Sequence, residues 1–334
     1  MDQIIVSILM PVYNEADYLE ECLESILKQD LITWELIVVD DFSTDSSWEI
    51  LQYYAHKDHR IRPLKNTSKG IIPALKKAFK NCVGTYVTRM DADDIMSPDK
   101  LSSMVEVLTI NVEHTIAVGL VSYFSNDGIS DGYRKYERWL NELIRGSNNF
   151  IDIYKECVIP SPCWMTSKYN LQRCGGFDSN RYPEDYDLAF RFYMHQCTVR
   201  GIPKVLHKWR DYPTRSSRVD PHYSDNRFLD LKLYYFLRKD WNKKPLVIWG
   251  AGKKGKYIAR NLLDQKVNFT WICNNPSKIG RDIYGVVLED SEAYIKSPNS
   301  QFIIAIASKN TSSIIQENLD VHAYIRNLDY FWFC

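Results

Sequence analysis

The stretch Tyr86-Val-Thr-Arg-Met-Asp91-Ala-Asp93-Asp94 decides the reading of this chain. Gly84 just before it is a turn signal, and Tyr86 to Met90 reads as a buried strand, because Tyr, Val and Thr suit pleated backbone. Three carboxylates then arrive within four residues. Extended backbone alternates its side chains, so Asp91 and Asp93 are expected on one side and Asp94 on the other. Two carboxylates on one side repel unless a cation lies between them. A hard divalent ion, held by one or two carboxylates and otherwise by water and phosphate oxygens, suits such a pair. The plain alternative is a solvated acidic turn before a helix that starts at Ser97-Pro98-Asp99.

The residues ahead of this stretch set its context. Ile4 to Met10 is a continuous apolar run, as expected of a parallel strand buried on both faces. It ends in Pro11-Val-Tyr13-Asn14-Glu15, a loop, and a helix follows with Leu19, Cys22, Leu23, Ile26 and Leu27 at helical spacing. A second strand, Glu35 to Val39, runs into Asp40-Asp41-Phe42-Ser43-Thr44-Asp45, where Ser43 or Thr44 is expected to cap the next helix. A short strand at Ile61–Leu64 and a helix after Lys69-Gly70 lead to Tyr86. Strand, helix, strand, helix, strand predicts an α/β fold with a mostly parallel sheet. Ligands bind such sheets at the carboxyl ends of the strands, where Tyr13, Asp41, Asp91 and Asp93 all fall. Tyr13 can stack on a base and Asp41 can accept hydrogen bonds from a base or ribose. The plain alternatives are rim packing for Tyr13 and help in starting a helix for Asp41.

Composition bounds the function. The 334 residues predict about two domains. Lys plus Arg and Asp plus Glu both number 42, so the net charge is zero, which argues against a chain coated with nucleic acid. Eight cysteines are scattered without a Cys-x-x-Cys, the pattern of reduced thiols rather than a zinc site. No apolar run reaches the roughly 18 residues of a spanning helix and no signal peptide is visible, so a cytoplasmic location is expected, free or at the inner face of the membrane.

Val6-Ser-Ile-Leu-Met-Pro-Val-Tyr-Asn-Glu15, Glu35-Leu-Ile-Val-Val-Asp-Asp-Phe-Ser-Thr-Asp45 and Arg89-Met-Asp-Ala-Asp-Asp94 together resemble the family 2 glycosyltransferases of the GT-A fold over about the first 210 residues. The resemblance implies an inverting transfer of a sugar from a nucleotide-sugar, a UDP-sugar by expectation, with Mn2+ or Mg2+. It implies that Asp41 contacts the base and that Asp91 and Asp93 serve the ribose, diphosphate and metal. Pro11, Tyr13, Glu15, Lys69 and Ala92 fall in the same nucleotide-sugar loops. Phe42 departs from the family, which often has Gly there.

Farther along, Cys174-Gly-Gly-Phe-Asp178 precedes Pro183-Glu184-Asp185-Tyr-Asp187, and a helix with Leu188, Phe190 and Phe192 inward follows. Two acids in a first turn can simply stabilise the helix dipole. By the family pattern, the second acid after Gly-Gly-Phe-Asp is the general base, which implies that role for Asp185, with Glu184 orienting the acceptor or bonding backbone. After a strand at Lys204–His207, the segment from Lys208 to Arg218 resembles the family's late segment beside the diphosphate. Tyr212 stands where a His often sits. Arg210 and Arg215 are candidate diphosphate contacts, because a guanidinium fork matches phosphate oxygens. His207 reads as structural.

The expected domains are a GT-A domain at 1–218, a helical linker at 219–244 and a Rossmann-like domain at 245–334. In the last, the strand Leu246–Trp249 meets Gly250-Ala-Gly252-Lys-Lys-Gly255 at a helix start, the context in which those glycines can cradle a phosphate. The next strand ends in Asn274-Asn275, where an NAD site needs a carboxylate. A structural, dimerising or acceptor-presenting role is therefore expected, with a homodimer as one form. Arg138-Trp139, Pro183-Glu184-Asp185 and Ile248-Trp-Gly-Ala-Gly-Lys253 also resemble the queuosine-tRNA galactosyltransferases, which implies a tRNA acceptor beside the saccharide or glycolipid hydroxyl of the wider family. The rival classes are an NAD(P)-binding oxidoreductase and a nucleotide-sugar sensor.

Overall fold

The computed structural model describes residues 4–110, 113–126, 128–213, 215, 225–292 and 299–334. Residues 216–218 of the basic segment, and the expected boundary at 218/219, lie outside them. The chain divides into two compact units, Met1–Phe150 with Val158–Val219, and Ile151–Cys157 with Asp220–Cys334.

The first unit is a mixed α/β layer structure. Its strands are β1 (Val6–Val12), β2 (Trp34–Asp40), β3 (Ile61–Lys65), β4 (Tyr86–Arg89), β5 (Ile95–Met96), β6 (Thr115–Phe124), β7 (Trp164–Ser167) and β8 (Thr198–Arg210). They form one sheet in the order β3-β2-β1-β4-β7-β6-β8-β5. The first four in that order run parallel, with Val12 opposite Asp40 and Leu9 opposite Arg89. All seven residues of β2 are buried, as the unbroken apolar run requires of a strand covered on both faces. Pro63 sits on β3 at the sheet edge, where a missing N–H disturbs least. The four-residue β7, wedged antiparallel between β4 and β6, is absent from the sequence reading because it is too short to show alternation.

The acidic stretch departs from its expected form. The strand ends at Arg89, and Asp91 to Asp94 make a turn closed by Asp94 N–H to the Asp91 carbonyl at 3.3 Å. A turn cancels strict alternation, so Asp94 is not directed away. It is fully buried in the same cluster as Asp91 and Asp93.

The second unit has a six-stranded sheet, in which β9 (Leu246–Trp249) pairs in parallel with β10 (Phe269–Cys273) and β13 (Gln301–Ile304). β11 (Asp282–Ile283), β12 (Val286–Asp290) and β14 (Tyr330–Trp332) complete it. Helix Asp225–Lys239, expected as a linker, belongs to this unit. Leu229, Leu231, Leu233 and Phe236 are buried, and Asp230 accepts from Tyr257 and Asn261 of helix Lys253–Asp264. Residues 151–157 pack here too, although position in the chain suggests the first domain. Tyr154 stacks on Phe333 with centroids 5.2 Å apart, and its hydroxyl donates to Asp240 at 2.5 Å. The inserted Tyr154 ring, the Asp152–Arg326 ion pair and the Lys232 ammonium donating to the Lys155 carbonyl hold the short segment. Among the described residues, no helix is long and apolar enough to cross a membrane.

Candidate functional site

Two loops at the carboxyl ends of β1 and β2 are stapled together by small polar side chains. Asn14 N–H donates to Ser43 Oγ at 3.1 Å, and Thr44 N–H donates to Asn14 Oδ1 at 2.8 Å. Asp45, rather than Ser43 or Thr44, does the capping. Its carboxylate accepts from Ala16 N–H and from Ser47 N–H, each at 3.0 Å, at the starts of two helices. Phe42 has φ 63°, the left-handed region that glycine favours, which accounts for the position at which Gly is otherwise expected.

Asp41 is buried and tied to the loop after β3. It accepts from Asn66 Nδ2 at 2.7 Å and from Gly70 N–H at 2.8 and 3.0 Å. Gly70 has φ +130°, open to few side-chain-bearing residues, and a Cβ there would lie 3.7 Å from the Tyr182 hydroxyl. Tyr13 is exposed, and Lys69 Nζ lies 3.1 Å from its hydroxyl and 4.3 Å from its ring centroid. Pro11 and Val12 end β1. These placements make one wall, with an aromatic face, a carboxylate and a cation.

The acidic turn makes the second wall. Arg89 Nε donates to Asp91 at 2.8 Å, and with Arg215 its charge holds Asp91 below the ordinary carboxylate range against the push of burial. Burial and the neighbouring Asp94 push Asp93 up to about 7. Burial also pushes Asp94 up to about 7. Glu15 is raised to about 8 by burial and then by Asp93, although the Tyr212 hydroxyl donates to it at 3.4 Å. Arg215 lies 3.8 Å from Asp93 and is held charged by the surrounding acids. Ala92 is buried between the two acids. Arg210, expected at the diphosphate, has its fork engaged: Nε donates to the Asp93 carbonyl at 2.7 Å and Nη2 to Glu21 at 2.5 Å.

Carboxyls raised to about 7 at Asp93 and Asp94 and about 8 at Glu15 form a site short of positive charge. Among the described residues, no three His, Cys, Asp or Glu side chains are arranged as a cation cage. A hard divalent ion bound here would take one or two carboxylate oxygens from the protein and the rest from phosphate and water. Asp93 and Asp91 are the side chains that can supply them.

The third wall is the start of helix Glu184–Met194. Glu184 is buried and accepts from Arg89 Nη1 at 3.0 Å. Asp185 is partly buried and accepts from Tyr186 N–H at 2.7 Å. Burial, then the charge of Glu184, push its carboxyl up to about 7. Both acids line a cleft of about 290 Å³, open solvent at its mouth included, with Arg89, Ser161, Trp164 and Phe177. Arg89 is the residue that sequence reasoning passed over. Its signal was a guanidinium inside an apolar strand, which burial tolerates only with carboxylate partners.

The glycine loop lies in the second unit. A Cβ at Gly255 would meet the Gly250 carbonyl oxygen at 1.9 Å, so Gly255 is required for the close approach of strand and helix, and Gly252 has open space around it. Asn274 Oδ1 accepts from Trp249 Nε1 at 2.6 Å.

The family model described as Glycosyl transferase family 2 matches residues 7–175. EpsE of Bacillus subtilis (strain 168) is 40% identical over 280 residues, covering 78% of this chain and 95% of that one. Glycosyltransferase GlyA of Streptococcus pneumoniae serotype 4 is 35% identical over 220 residues, which is 64% of this chain and 32% of GlyA, so the match spans about a third of that relative. The Staphylococcus aureus TarS 1–349 structure with UDP-GlcNAc superposes with TM-score 0.53 at 18% identity, over 77% of this chain and 71% of that one.

Proposed function

The chain belongs to glycosyl transferase family 2, and on that premise we propose that it moves a sugar from a UDP-sugar to a saccharide hydroxyl with inversion, Asp185 acting as general base. One observation carries the reading. Arg89 joins Asp91 just after β4 to Glu184, the neighbour of Asp185, so one guanidinium links the acidic turn to the helix start that carries the raised acid.

The work divides among the residues as follows. Tyr13 offers its face to the base, and Asp41, fixed by Asn66 and Gly70, offers its remaining lone pairs to base or ribose. Lys69 and Arg215 contribute charge toward the diphosphate, while Arg210 acts on it only through the turn it braces. Asp93 and Asp91 hold Mn2+ or Mg2+, which when bound neutralises charge on the departing diphosphate. Asp185 accepts the hydroxyl proton as the acceptor oxygen attacks C1 from the face opposite the diphosphate, and the C1–O electron pair leaves with UDP. A carboxyl that titrates near 7 is well matched to that proton transfer at neutral pH. UDP carried by the TarS structure supports uridine in the donor.

The test is release of UDP from UDP-GlcNAc, UDP-glucose and UDP-galactose with Mn2+, followed by the anomeric configuration of the product. Retention, or no stabilisation by any nucleotide-sugar, overturns the reading.

A further inference from the structure

Arg89 is a guanidinium 6% exposed in a stretch whose neighbours Val87, Thr88 and Met90 are fully buried. Its two arms reach acids from distant parts of the chain. Nε donates to Asp91 Oδ1 at 2.8 Å, and Nη1 donates to Glu184 Oε1 at 3.0 Å, 95 residues along. Asp185 follows Glu184 and faces the same cleft as Arg89.

We infer that Arg89 is a positioning residue for the transfer: its fork fixes the helix start that carries Asp185 against the acidic turn. The inference rests on the assignment of Asp185 as that base. The charged groups facing Asp185 are Glu184 on its own helix, Asp91 from the turn and Arg89 from β4. The two acids push the Asp185 carboxyl up and Arg89 pulls it down. Without Arg89, Asp185 faces the charges of Glu184 and Asp91 with no guanidinium to offset them, and it keeps its proton to higher pH. The geometry matters as well as the charge. A guanidinium can hold two carboxylates in fixed directions at once, whereas an ammonium is a point charge on a flexible stem.

The experiment uses the full chain with Arg89→Gln and Arg89→Lys, each alone and combined with Asp185→Asn. Melting temperature is followed against pH, and the divergence between a chain and its Asp185→Asn counterpart, read at the pH where it stops growing, reports the ionisation of Asp185 in the folded state. Binding of UDP with Mn2+ is measured beside it. In Arg89→Gln the divergence moves up by about one pH unit or more, equivalent to a tenfold loss of ionised base at pH well below the midpoint. UDP affinity with Mn2+ falls as well, because the same guanidinium holds Asp91, so the pH of the divergence and not the affinity reads the effect on Asp185. In Arg89→Lys the divergence stays near that of the unaltered chain, while UDP release from UDP-GlcNAc falls because the fork is lost. An unmoved divergence in Arg89→Gln overturns the inference. If Arg89→Gln does not fold, Arg89→Lys decides, and a raised divergence there overturns it. Normal turnover by Asp185→Asn alone defeats the base assignment instead, and the melting comparison still reads the effect of Arg89 on that carboxyl.

Discussion

His207 Nε2 lies 2.9 Å from Asp94 Oδ2, with neither side chain exposed to solvent. Lys100, also fully buried, places Nζ 3.3 Å from the other ring nitrogen and donates to the Pro162 carbonyl at 2.5 Å. Burial, then the charge of Lys100, hold the His207 ring well below its ordinary value, so the ring is neutral. With Lys100 donating to Nδ1, the single ring proton sits on Nε2 and points at Asp94. This row of three ties β8 to the acidic turn from behind. His207→Leu strands a carboxyl and an ammonium in the interior, at a cost of about 3 kcal/mol. Denaturant unfolding measures it, and a loss under about 1 kcal/mol would show that the turn is held by other contacts.

Asp185→Asn removes the proton acceptor and leaves the donor walls in place. Turnover falls by at least about 100-fold, the usual scale of a lost general base. Binding of UDP with Mn2+, followed calorimetrically, is unchanged. Turnover within a few-fold of the unaltered chain would take the base role from Asp185.

The same carboxyl sets two pH dependences of opposite sense. Turnover rises with pH through about 7, as Asp185 ionises. Stability runs the other way. The folded chain raises this acid from 3.8 to about 7, so it keeps a proton that the unfolded chain has released. That contribution is full below about pH 4 and is lost as pH climbs through about 7. Asp185→Asn is therefore expected to melt above the unaltered chain at pH 8, with the gap closing toward pH 5. Parallel melting curves across that window would contradict it.

Cation dependence should appear in binding before it appears in turnover. Asp93, raised to about 7, and Asp91 beside it would gain from a divalent ion, and the ion from phosphate oxygens. UDP-GlcNAc is expected to raise the melting temperature with Mn2+ present and to lose that effect in excess EDTA. Equal stabilisation under both conditions would remove Asp93 and Asp91 from metal binding.

Asp41→Ala strips the acceptor from Asn66 and the Gly70 N–H. The loop that presents Lys69 is then released, so the donor KM rises about tenfold while kcat changes little, the mark of lost uniform binding. A fall confined to kcat would place Asp41 in the chemical step.

The sequence by itself determined much of this protein. Strands buried on both faces are written as unbroken apolar runs, as in Leu36 to Val39, and the acids at their carboxyl ends mark the cleft edge. The spacing of those motifs carried the family. Tertiary structure alone decided how the acids are held. Asp94 meets His207 across 113 residues, and Arg89 meets Glu184 across 95. The occupied fork of Arg210, the transfer of residues 151–157 to the second unit and the raised acids at Glu15, Asp93 and Asp185 are of the same kind. Periodicity encodes which face of an element is covered, because covering is a local average over neighbours. Which charge stands opposite which, and how much water is left between them, depends on distances between remote residues, and only the folded chain sets those.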